Sequence, residues 1–409
     1  MILKNLRALF SGEGFIVKSG RRPQAEDVGF RQGPLDLEID QSTGKIVAIH
    51  PSMSELRGDF DATGLVATAG YLDSHTHALF AGNRAPEFFQ RWRGSTYKEI
   101  SDAGGGIHNS FRETELCSED ALAVALLERS AGARRHGTTT LEVKSGYADT
   151  AVGELRLLRI LKRVRAQLAQ RGPDLRPTFL GLHSLPQGRS EESFVDEMIA
   201  VLPAIVVEEL AFAVDAFPEK GFFSLKESIR FSKVARANGL ALKIHADELT
   251  PFGSAEAFSD LGALSVDHLQ KVGPEGLAAL GQRSTVACLL PATSFYLGLE
   301  YVDGRKLIQA GARVGLATDF NPGTAPWPDF RLTHSLAATQ LKLTPAEILC
   351  ASTFNAAAAL GLNDRGVLSV GSRADICLWK IEGKLEGALE EILLSPRPPQ
   401  CVLVRGRLA

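Results

Sequence analysis

The feature that most constrains the fold is a series of short apolar runs, most followed by a helical pattern, in the middle of the chain. Between about residues 66 and 365 there are eight: VATAGYL, TTLEVKS, TFLGLHS, AFAVDAF, ALKIHAD, LSVDHL, TVACLLP and RVGLATD. Such alternation indicates βα units and a parallel sheet. Eight units in about 300 residues predict a (β/α)8 TIM-like barrel of class α/β. A doubly wound open sheet is the competing architecture, but no GxGxxG motif follows the first run.

Helix-capping residues support this reading. Ser118 and Thr150 each precede a helical pattern, and Ser224 with Glu227 has the S-x-x-E form of a capping box. Gly137 and Gly239 follow two of these patterns, where a glycine commonly ends a helix. The sequence therefore predicts helices between the apolar runs.

Both ends of the chain read as β-rich. Near the N-terminus DLEID and KIVAIH flank QSTG, a plausible hairpin turn, and near the C-terminus GVLSVGSRADICLWK and CVLVRGRL alternate apolar and polar residues. We therefore predict a small β-sandwich domain formed by residues 1–65 together with residues 366–409. The barrel is expected to span residues 66–365.

Composition excludes several classes of function. The chain has 409 residues, is 44% hydrophobic and 23% charged, and carries 45 Lys plus Arg against 48 Asp plus Glu, a net charge of −3. This balance indicates neither a nucleic-acid nor a membrane partner. Five scattered cysteines without a CxxC pair favour a reduced, cytoplasmic protein. A charged N-terminus and the lack of any apolar run of about 18 residues predict neither a signal peptide nor a transmembrane helix.

Histidines cluster where a barrel has its active site. In a (β/α)8 barrel that site lies at the C-terminal ends of the strands. Of nine histidines, five follow or end the predicted strands: His75, His77, His183, His245 and His268. The other four are expected to be structural: His108 and His136 lie in a glycine-rich loop and at a helix end, and His50 and His334 lack suitable polar neighbours.

The clustered residues suit a metal ion. His75 and His77 are two residues apart, so on a strand both side chains point to the same face. Together with His245 and Asp319 they supply three imidazoles and one carboxylate, a set that suits zinc or ferrous iron. Water bound to such an ion loses a proton near neutral pH and becomes a strong nucleophile. The pattern is typical of a metal-dependent hydrolase.

Three further groups can serve hydrolysis. Glu248 lies three residues after His245 and can move protons between the water and a leaving nitrogen. His268 can either polarise the attacked carbonyl oxygen or hydrogen-bond the hydroxide, and Asp319 can also accept a proton from the attacking water. Asp247 and Asp267 are either orienting partners of the ligands or helix caps, and the sequence does not separate these roles.

The motifs that carry these residues resemble the amidohydrolase superfamily and, more narrowly, its imidazolonepropionases. They extend over nearly the whole chain: GYLDSHTHALFAGNR, AGGGIHNS, LEVKSGY, LGLHSLP, KIHADE, VDHL, LLPATSFYLG and ATDFNPGT. HxH with a late aspartate is shared by many superfamily members. EVKSGY together with ATDFNPGT is much more specific.

The resemblance implies a hydrolytic ring opening, the third step of histidine degradation. Water adds to the carbonyl of 4-imidazolone-5-propanoate, the ring C–N bond breaks, and N-formimidoyl-L-glutamate leaves. It also implies a homodimer with one Zn²⁺ or Fe²⁺/Fe³⁺ per chain, and it assigns three groups of residues. The metal ligands match His75, His77, His245 and Asp319; the substrate contacts match Arg84, Tyr147, His183 and Glu248; the product-side contacts match Asn321, Gly323 and Thr324.

Elementary chemistry agrees with these roles. A propanoate tail needs a cation, and Arg84 offers a bidentate fork for a carboxylate. We therefore expect a small-molecule substrate with a carboxylate tail. The segment Gly104–Gly106 is either a flexible connector or a loop that folds over the site. Two-metal relatives use a carboxylated lysine, usually on strand four. AFAVDAF contains none, so one metal is expected.

Two other functions compete with this one. A single-metal deaminase of aminopyrimidines or guanine acts on rings without a carboxylate tail, so Arg84 would have no partner there. A non-catalytic binding protein built on an inactive barrel predicts missing ligands, whereas all four ligands and a proton carrier are present in the sequence.

Overall fold

The computed structural model describes residues 1–53, 58–95, 99–100, 105–170 and 172–409. Sixteen strands occur in chain order in three groups. The first five are β1 Ile2–Phe10, β2 Phe30–Asp40, β3 Lys45–Pro51, β4 Phe60–Asp61 and β5 Leu65–Ala69. The next eight are β6 Tyr71–Asp73, β7 Thr138–Lys144, β8 Asp174–Leu182, β9 Ala213–Ala216, β10 Ala241–Ala246, β11 Ser265–His268, β12 Val286–Leu289 and β13 Arg313–Leu316. The last three are β14 Ile376–Lys380, β15 Cys401–Val404 and β16 Arg407–Leu408.

Helices separate the strands of the middle group. The predicted caps Ser118, Thr150 and Ser224 each accept a hydrogen bond from a backbone N–H of the helix that follows. No helix in the described part of the chain is both long and apolar enough to cross a membrane. The α-helices are Glu13–Val17, Ala85–Trp92, Ile107–Leu116, Glu119–Arg135, Ala151–Leu168, Glu191–Ala200, Leu202–Val207, Leu225–Ala237, Ser254–Asp260, Pro274–Gln282, Pro291–Leu297, Gly304–Ala310, Phe330–Thr339, Pro345–Ser352, Phe354–Ala359 and Ala388–Leu394, with 3-10 turns at Ala25–Val28 and Leu385–Gly387.

The two ends of the chain form one mixed sheet. Its strand order is β16-β15-β14-β5-β1-β2-β3, and β4 pairs with β1. The hairpin predicted around QSTG is present as the antiparallel pair β2–β3. Backbone hydrogen bonds between Ile46 and residues 371–372 bring the far edge of β3 back toward β14. The sheet thereby encloses a separate apolar core that includes Leu9, Leu37 and Leu378.

The eight middle strands form a parallel sheet in sequential order from β6 to β13. A parallel bridge between Thr76 and Phe320, next to the ends of β6 and β13, joins the first strand to the last. The predicted (β/α)8 barrel with a small β unit from both termini is thus confirmed. The carboxyl ends of β6, β10, β11 and β13 meet at one rim of the barrel, because all strands run in the same direction.

The first apolar run divides between the two sheets, which differs from the sequence-based expectation. Val66–Ala69 belongs to β5 and pairs with β1 and β14 in the terminal sheet, whereas Tyr71 and Leu72 begin the barrel. Gly70 lies between them, and a Cβ there would lie 2.2 Å from Thr139. One continuous apolar run therefore serves two cores, and periodicity alone does not reveal the change of partner.

The barrel interior contains charged side chains in place of a purely aliphatic filling. Five are fully buried: Glu142, Lys144, Asp215, Lys243 and Asp267. Lys144 Nζ lies 2.9 Å from a Glu142 oxygen and 2.8 Å from an Asp215 oxygen. Lys243 Nζ lies 3.5 Å from Asp267 and 4.0 Å from Glu142. We call these five residues the interior charge network.

We predict that Lys144→Met destabilises the protein by about 3–5 kcal/mol, because it leaves buried carboxylates without their cation. Urea unfolding at neutral pH measures this change. Lys271→Met is the control, since Lys271 forms an exposed pair with Glu300 and should cost less than about 1 kcal/mol. Equal stability of the Lys144 variant and the wild type would contradict a charged network.

Candidate active site

A cavity of about 490 Å³ opens at the C-terminal rim of the barrel. Ten residues predicted for the site from sequence line it: His77, Arg84, Tyr147, His183, His245, Glu248, His268, Asp319, Asn321 and Thr324. His75 lies fully buried beneath the cavity, and Gly323 lies against the Arg84 guanidinium. The predicted residues are thus brought together from loops and strands far apart in the sequence.

The predicted metal ligands form a compact cluster. His75, His77 and His245 each offer a nitrogen, and these atoms lie within 4.8 Å of one another. His75 Nε2 and His77 Nε2 are 3.3 Å apart, and Asp319 Oδ1 lies 3.5 Å from the first and 3.4 Å from the second. His75, His268 and Asp319 form a second overlapping group of the same kind. Such convergence of N and O donors fits a metal of the zinc or iron type.

Carboxylates behind the histidines orient two of them. His75 Nδ1 lies 2.6 Å from Asp267, and His245 Nδ1 lies 3.1 Å from Asp215. A carboxylate at Nδ1 fixes the proton there and leaves the Nε2 lone pair directed toward the cluster. Burial, with Lys144 second, lowers the pKa of His75 well below its usual value, so the ring is neutral, as a metal ligand must be.

The imidazole of His77, like that of His75, is neutral. Burial, with the neighbouring His183 second, lowers the pKa of His77 well below its usual value. Its Nδ1 atom is buried and has no hydrogen-bond partner within the described part of the chain. Imidazole nitrogens and a carboxylate crowded together in this way are costly by themselves and become favourable around a cation. These residues therefore fit a metal ion.

The backbone is strained at the rim. Asp247, His268 and Asp319 have φ angles of 48°, 82° and 54°, in the left-handed region that L-residues rarely adopt. Asp319 is held by its N–H, which donates to the His75 carbonyl, and by the Thr293 hydroxyl, which donates to its carboxylate. Such strain is typical of functional positions that the surrounding fold over-determines.

Glu248 and His268 lie beside the cluster. A Glu248 carboxylate oxygen lies 3.6 Å from His268 Nε2. Burial, outweighing the opposing influence of His245, raises the pKa of Glu248 to about 8. A carboxyl group that titrates near neutral pH can both donate and accept a proton, which is what general acid–base catalysis requires.

His183 and Tyr147 form one wall of the cavity. The His183 ring stacks on His77 with centroids 5.1 Å apart, and its Nδ1 lies 2.7 Å from the Gly146 carbonyl oxygen. Burial lowers the pKa of His183 to about 3, so the ring is neutral and Nδ1–H donates to that carbonyl. Its Nε2 is therefore an acceptor. The Tyr147 and His183 rings lie 5.8 Å apart, which gives a flat ligand an aromatic surface.

The opposite side of the cavity carries the cation and a polar turn. The Arg84 guanidinium is buried and contacts Glu87, which lies one helical turn further along. Asn321 accepts hydrogen bonds from the backbone N–H groups of Gly323 and Thr324 through its side-chain oxygen. This turn brings Gly323 under Arg84 and leaves room for the guanidinium, because a Cβ at Gly323 would lie 2.1 Å from Arg84 Nη1.

The structure separates two aspartates that the sequence does not. Asp267 orients His75, as described, whereas the Asp247 carboxylate accepts hydrogen bonds from backbone N–H groups at Phe252–Ala255 and caps the helix Ser254–Asp260. Asp215 and Lys144 were not recognised as parts of the site from sequence, since their partners come from other strands. The one sequence signal for them was the presence of charges inside apolar runs.

Apolar residues of the cavity wall and the glycine-rich segment complete the site. Phe217, Phe222 and Leu297 contribute apolar surface, which the sequence reading did not assign. Of Gly104–Gly106, Gly104 lies outside the described residues. Gly106, with φ 72°, precedes the helix Ile107–Leu116, whose first residue lines the cavity.

Comparison with known proteins gives consistent results. Residues 66–409 match the model of the amidohydrolase family. An imidazolonepropionase from Rubrobacter xylanophilus is 42% identical over 390 residues, which cover 92% of this chain and 91% of the relative. Imidazolonepropionases from Deinococcus radiodurans, 42% identical with 77% of each chain covered, and from Porphyromonas gingivalis, 36% identical with 92% and 90% covered, are also similar.

Solved structures of lower identity share the fold. A zinc complex of atrazine chlorohydrolase from Arthrobacter aurescens superposes with a TM-score of 0.72 at 16% identity, covering 100% of this chain and 94% of that one. An adenosine deaminase from Xanthomonas campestris with bound zinc gives a TM-score of 0.69 at 15% identity, with 100% and 92% covered. The chain belongs to the amidohydrolase family and, within it, to the imidazolonepropionases.

Proposed function

We propose that this chain hydrolyses the ring C–N amide bond of 4-imidazolone-5-propanoate and releases N-formimidoyl-L-glutamate. The observation that carries the proposal is the meeting, in one cavity, of a buried His/Asp cluster, a carboxyl group that titrates near neutral pH and a buried arginine. The imidazolonepropionase relatives, at 36–42% identity over most of the chain, support the same reaction. A deaminase needs no such arginine.

We propose that one Zn²⁺ or Fe²⁺/Fe³⁺ is held by His75, His77, His245 and Asp319. When bound, such an ion acidifies a water molecule and polarises a carbonyl group. The rest of the chemistry falls to the protein. The Glu248 carboxylate accepts a proton from the water as the water oxygen attacks the ring carbonyl carbon. The same group returns the proton to the ring nitrogen as the C–N bond breaks, so protons balance over the cycle.

Other side chains position the substrate. His183 Nε2, an acceptor, is suited to a ring N–H, and Tyr147 supports the flat face of the ring. His268 is suited to donate an N–H to the carbonyl oxygen, where negative charge develops during attack. Arg84 holds the propanoate, while Asn321, Gly323 and Thr324 form a polar turn for the carboxylate that the reaction creates. The apolar wall of Phe217 and Phe222 limits access of bulk water.

Three broader assignments are also proposals. We infer that the chain acts as a homodimer. We also infer that it is located in the cytoplasm, which agrees with five cysteines that are all free thiols. We infer a division into a composite β domain, residues 1–65 with 366–409, and a catalytic barrel, residues 66–365, except that Val66–Ala69 at the boundary pairs within the terminal sheet. No feature of the charge balance indicates a nucleic-acid or membrane partner. Light scattering of the purified protein tests the dimer.

The first prediction concerns the reaction itself. Purified protein should remove the imidazolone absorbance of 4-imidazolone-5-propanoate without releasing ammonia. Treatment with a chelator should abolish the activity, and Zn²⁺ or Fe²⁺ should restore it, because the ligand set binds either ion. Release of ammonia from aminopyrimidines or guanine, with no ring opening of the imidazolone, would refute the proposed function in favour of a deaminase.

The second prediction concerns the ligands. His75→Ala and Asp319→Ala should each lose the metal, because a site that keeps only three of its four protein donors binds an ion much more weakly. Elemental analysis of protein purified without added metal measures the content. His50→Ala is the matched control, since His50 lies on the terminal sheet and pairs with Glu38. Wild-type metal content in both site variants would show that the ligands are wrongly assigned.

The third prediction concerns the carboxylate clamp. Arg84→Ala should raise KM about 100-fold with a much smaller change in kcat, because a buried charge-assisted pair contributes about 3 kcal/mol. Arg84→Lys should recover part of the loss, since an ammonium keeps the charge but lacks the fork. Steady-state kinetics separate the two parameters. An unchanged kcat/KM in Arg84→Ala would exclude this role.

A further inference from the structure

Glu87 occupies a place in the site that neither the metal cluster nor the proton transfer accounts for. It lies in the first turn of the helix Ala85–Trp92, which begins directly after Arg84. Its side chain is only 8% exposed. A buried carboxylate needs partners, and the two that Glu87 has among the described residues are parts of the substrate cavity or its border.

The first partner is the clamp itself. Glu87 Oε2 accepts from Arg84 Nη2 at 2.9 Å and from Arg84 Nε at 3.0 Å, and Oε1 lies 3.1 Å from Nε. A guanidinium has two edges that can grip a carboxylate in a bidentate manner. Glu87 occupies the Nε–Nη2 edge. The Nη1–Nη2 edge is therefore the one that remains for a substrate carboxylate.

The orientation of Arg84 is fixed from a second side. A Cβ at Gly323 would lie 2.1 Å from Arg84 Nη1 and 2.3 Å from Cζ, so the glycine backbone packs directly on the guanidinium. Arginine in solution has many rotamers, and fixing one when the ligand binds weakens binding. Because Glu87 and Gly323 already hold the Arg84 side chain in one rotamer, substrate binding does not have to order it.

The second partner of Glu87 is the glycine-rich segment. Glu87 Oε1 accepts from the Gly106 N–H at 2.9 Å. Gly106 directly precedes the helix Ile107–Leu116. On this helix the centroid of the Phe111 ring lies 6.0 Å from that of Tyr147 and 6.3 Å from that of His183. One carboxylate thus connects the group suited to the propanoate with the helix behind the aromatic wall that faces the ring.

We propose that Glu87 is a positioning residue for substrate recognition, which rests on the proposed function. It selects the edge of Arg84 that faces the propanoate and sets the distance between that edge and the aromatic wall. The specificity for a carboxylate at a fixed distance from the ring then depends on three linked parts: Arg84, Glu87 and the Gly106 backbone. Glu87 itself does not touch the substrate.

The test is a double-mutant cycle on KM with Glu87→Gln, Arg84→Ala and the combined variant. Glutamine keeps the size of the side chain and loses the charge. If Glu87 acts through Arg84, Glu87→Gln raises KM about tenfold with kcat within about twofold, as expected for a coupled pair in contact. In the Arg84→Ala background the same substitution then changes KM by less than about twofold.

Glu227→Gln is the matched control, because Glu227 is also a nearly buried carboxylate paired with an arginine three residues away, here Arg230 on the helix Leu225–Ala237. It should leave KM and kcat at wild-type values. If Glu87→Gln does not yield folded protein, Glu87→Asp enters the same cycle, since its shorter side chain reaches the guanidinium less well. Circular dichroism confirms folding of each variant.

The outcomes are distinct. A wild-type protein that does not open the imidazolone ring refutes the proposed function and, with it, this inference. An active wild type with an unchanged KM in Glu87→Gln refutes the inference alone. The same is true if Glu87→Gln raises KM equally in both backgrounds, or lowers kcat while KM stays constant, because those results describe a merely structural carboxylate.

Discussion

The interior charge network is the constraint on which the site depends. Glu142, Lys144, Asp215, Lys243 and Asp267 are fully buried, so each charge must find its counter-charge within the barrel. Although burial alone would lower it, Asp215 and Glu142 raise the pKa of Lys144, which stays charged. The network places three carboxyl groups and two lysines beneath the histidines, and burial raises the pKa of the Glu142 carboxyl group.

The interior charge network also orients two histidines of the cluster, His75 and His245. Asp267 Oδ2 lies 3.5 Å from Lys243 Nζ and 2.6 Å from His75 Nδ1, and Asp215 Oδ2 lies 2.8 Å from Lys144 Nζ and 3.1 Å from His245 Nδ1. Each imidazole is therefore oriented by a group that is itself held by strands, since β10 and β11 pair His245 with Asp267 in register. The proposed metal ligands lie at or just after the ends of β6, β10 and β13, whereas the proposed substrate contacts Arg84 and Thr324 lie on loops, where sequence change is tolerated. This division separates the chemistry from the specificity.

The sequence was sufficient for the architecture and for identifying residues that line the cavity, but not for the contacts that connect them. Alternating apolar runs predicted the barrel, because each buried strand must be apolar whatever its partner. They did not show that Val66–Ala69 leaves the barrel, since a strand of the terminal sheet has the same pattern. HxH, His245 and Asp319 could be predicted as candidate metal ligands, because few residue types bind metals. Lys144 was not, because its role depends on a carboxylate from β9, far away in the sequence.

Arg84 shows the limit of arguing from a residue type to a substrate. In the sequence a lone arginine near the ligands indicates an acidic substrate, but the structure shows its charge already facing Glu87. A buried arginine with a carboxylate partner is, on charge alone, satisfied. What still favours an anionic ligand is geometry: a guanidinium has a second bidentate edge, and Glu87 and Gly323 hold it in one orientation. An anionic substrate is therefore indicated by the orientation of the free guanidinium edge of Arg84 and not by the mere presence of a cation. No sequence pattern encodes that orientation.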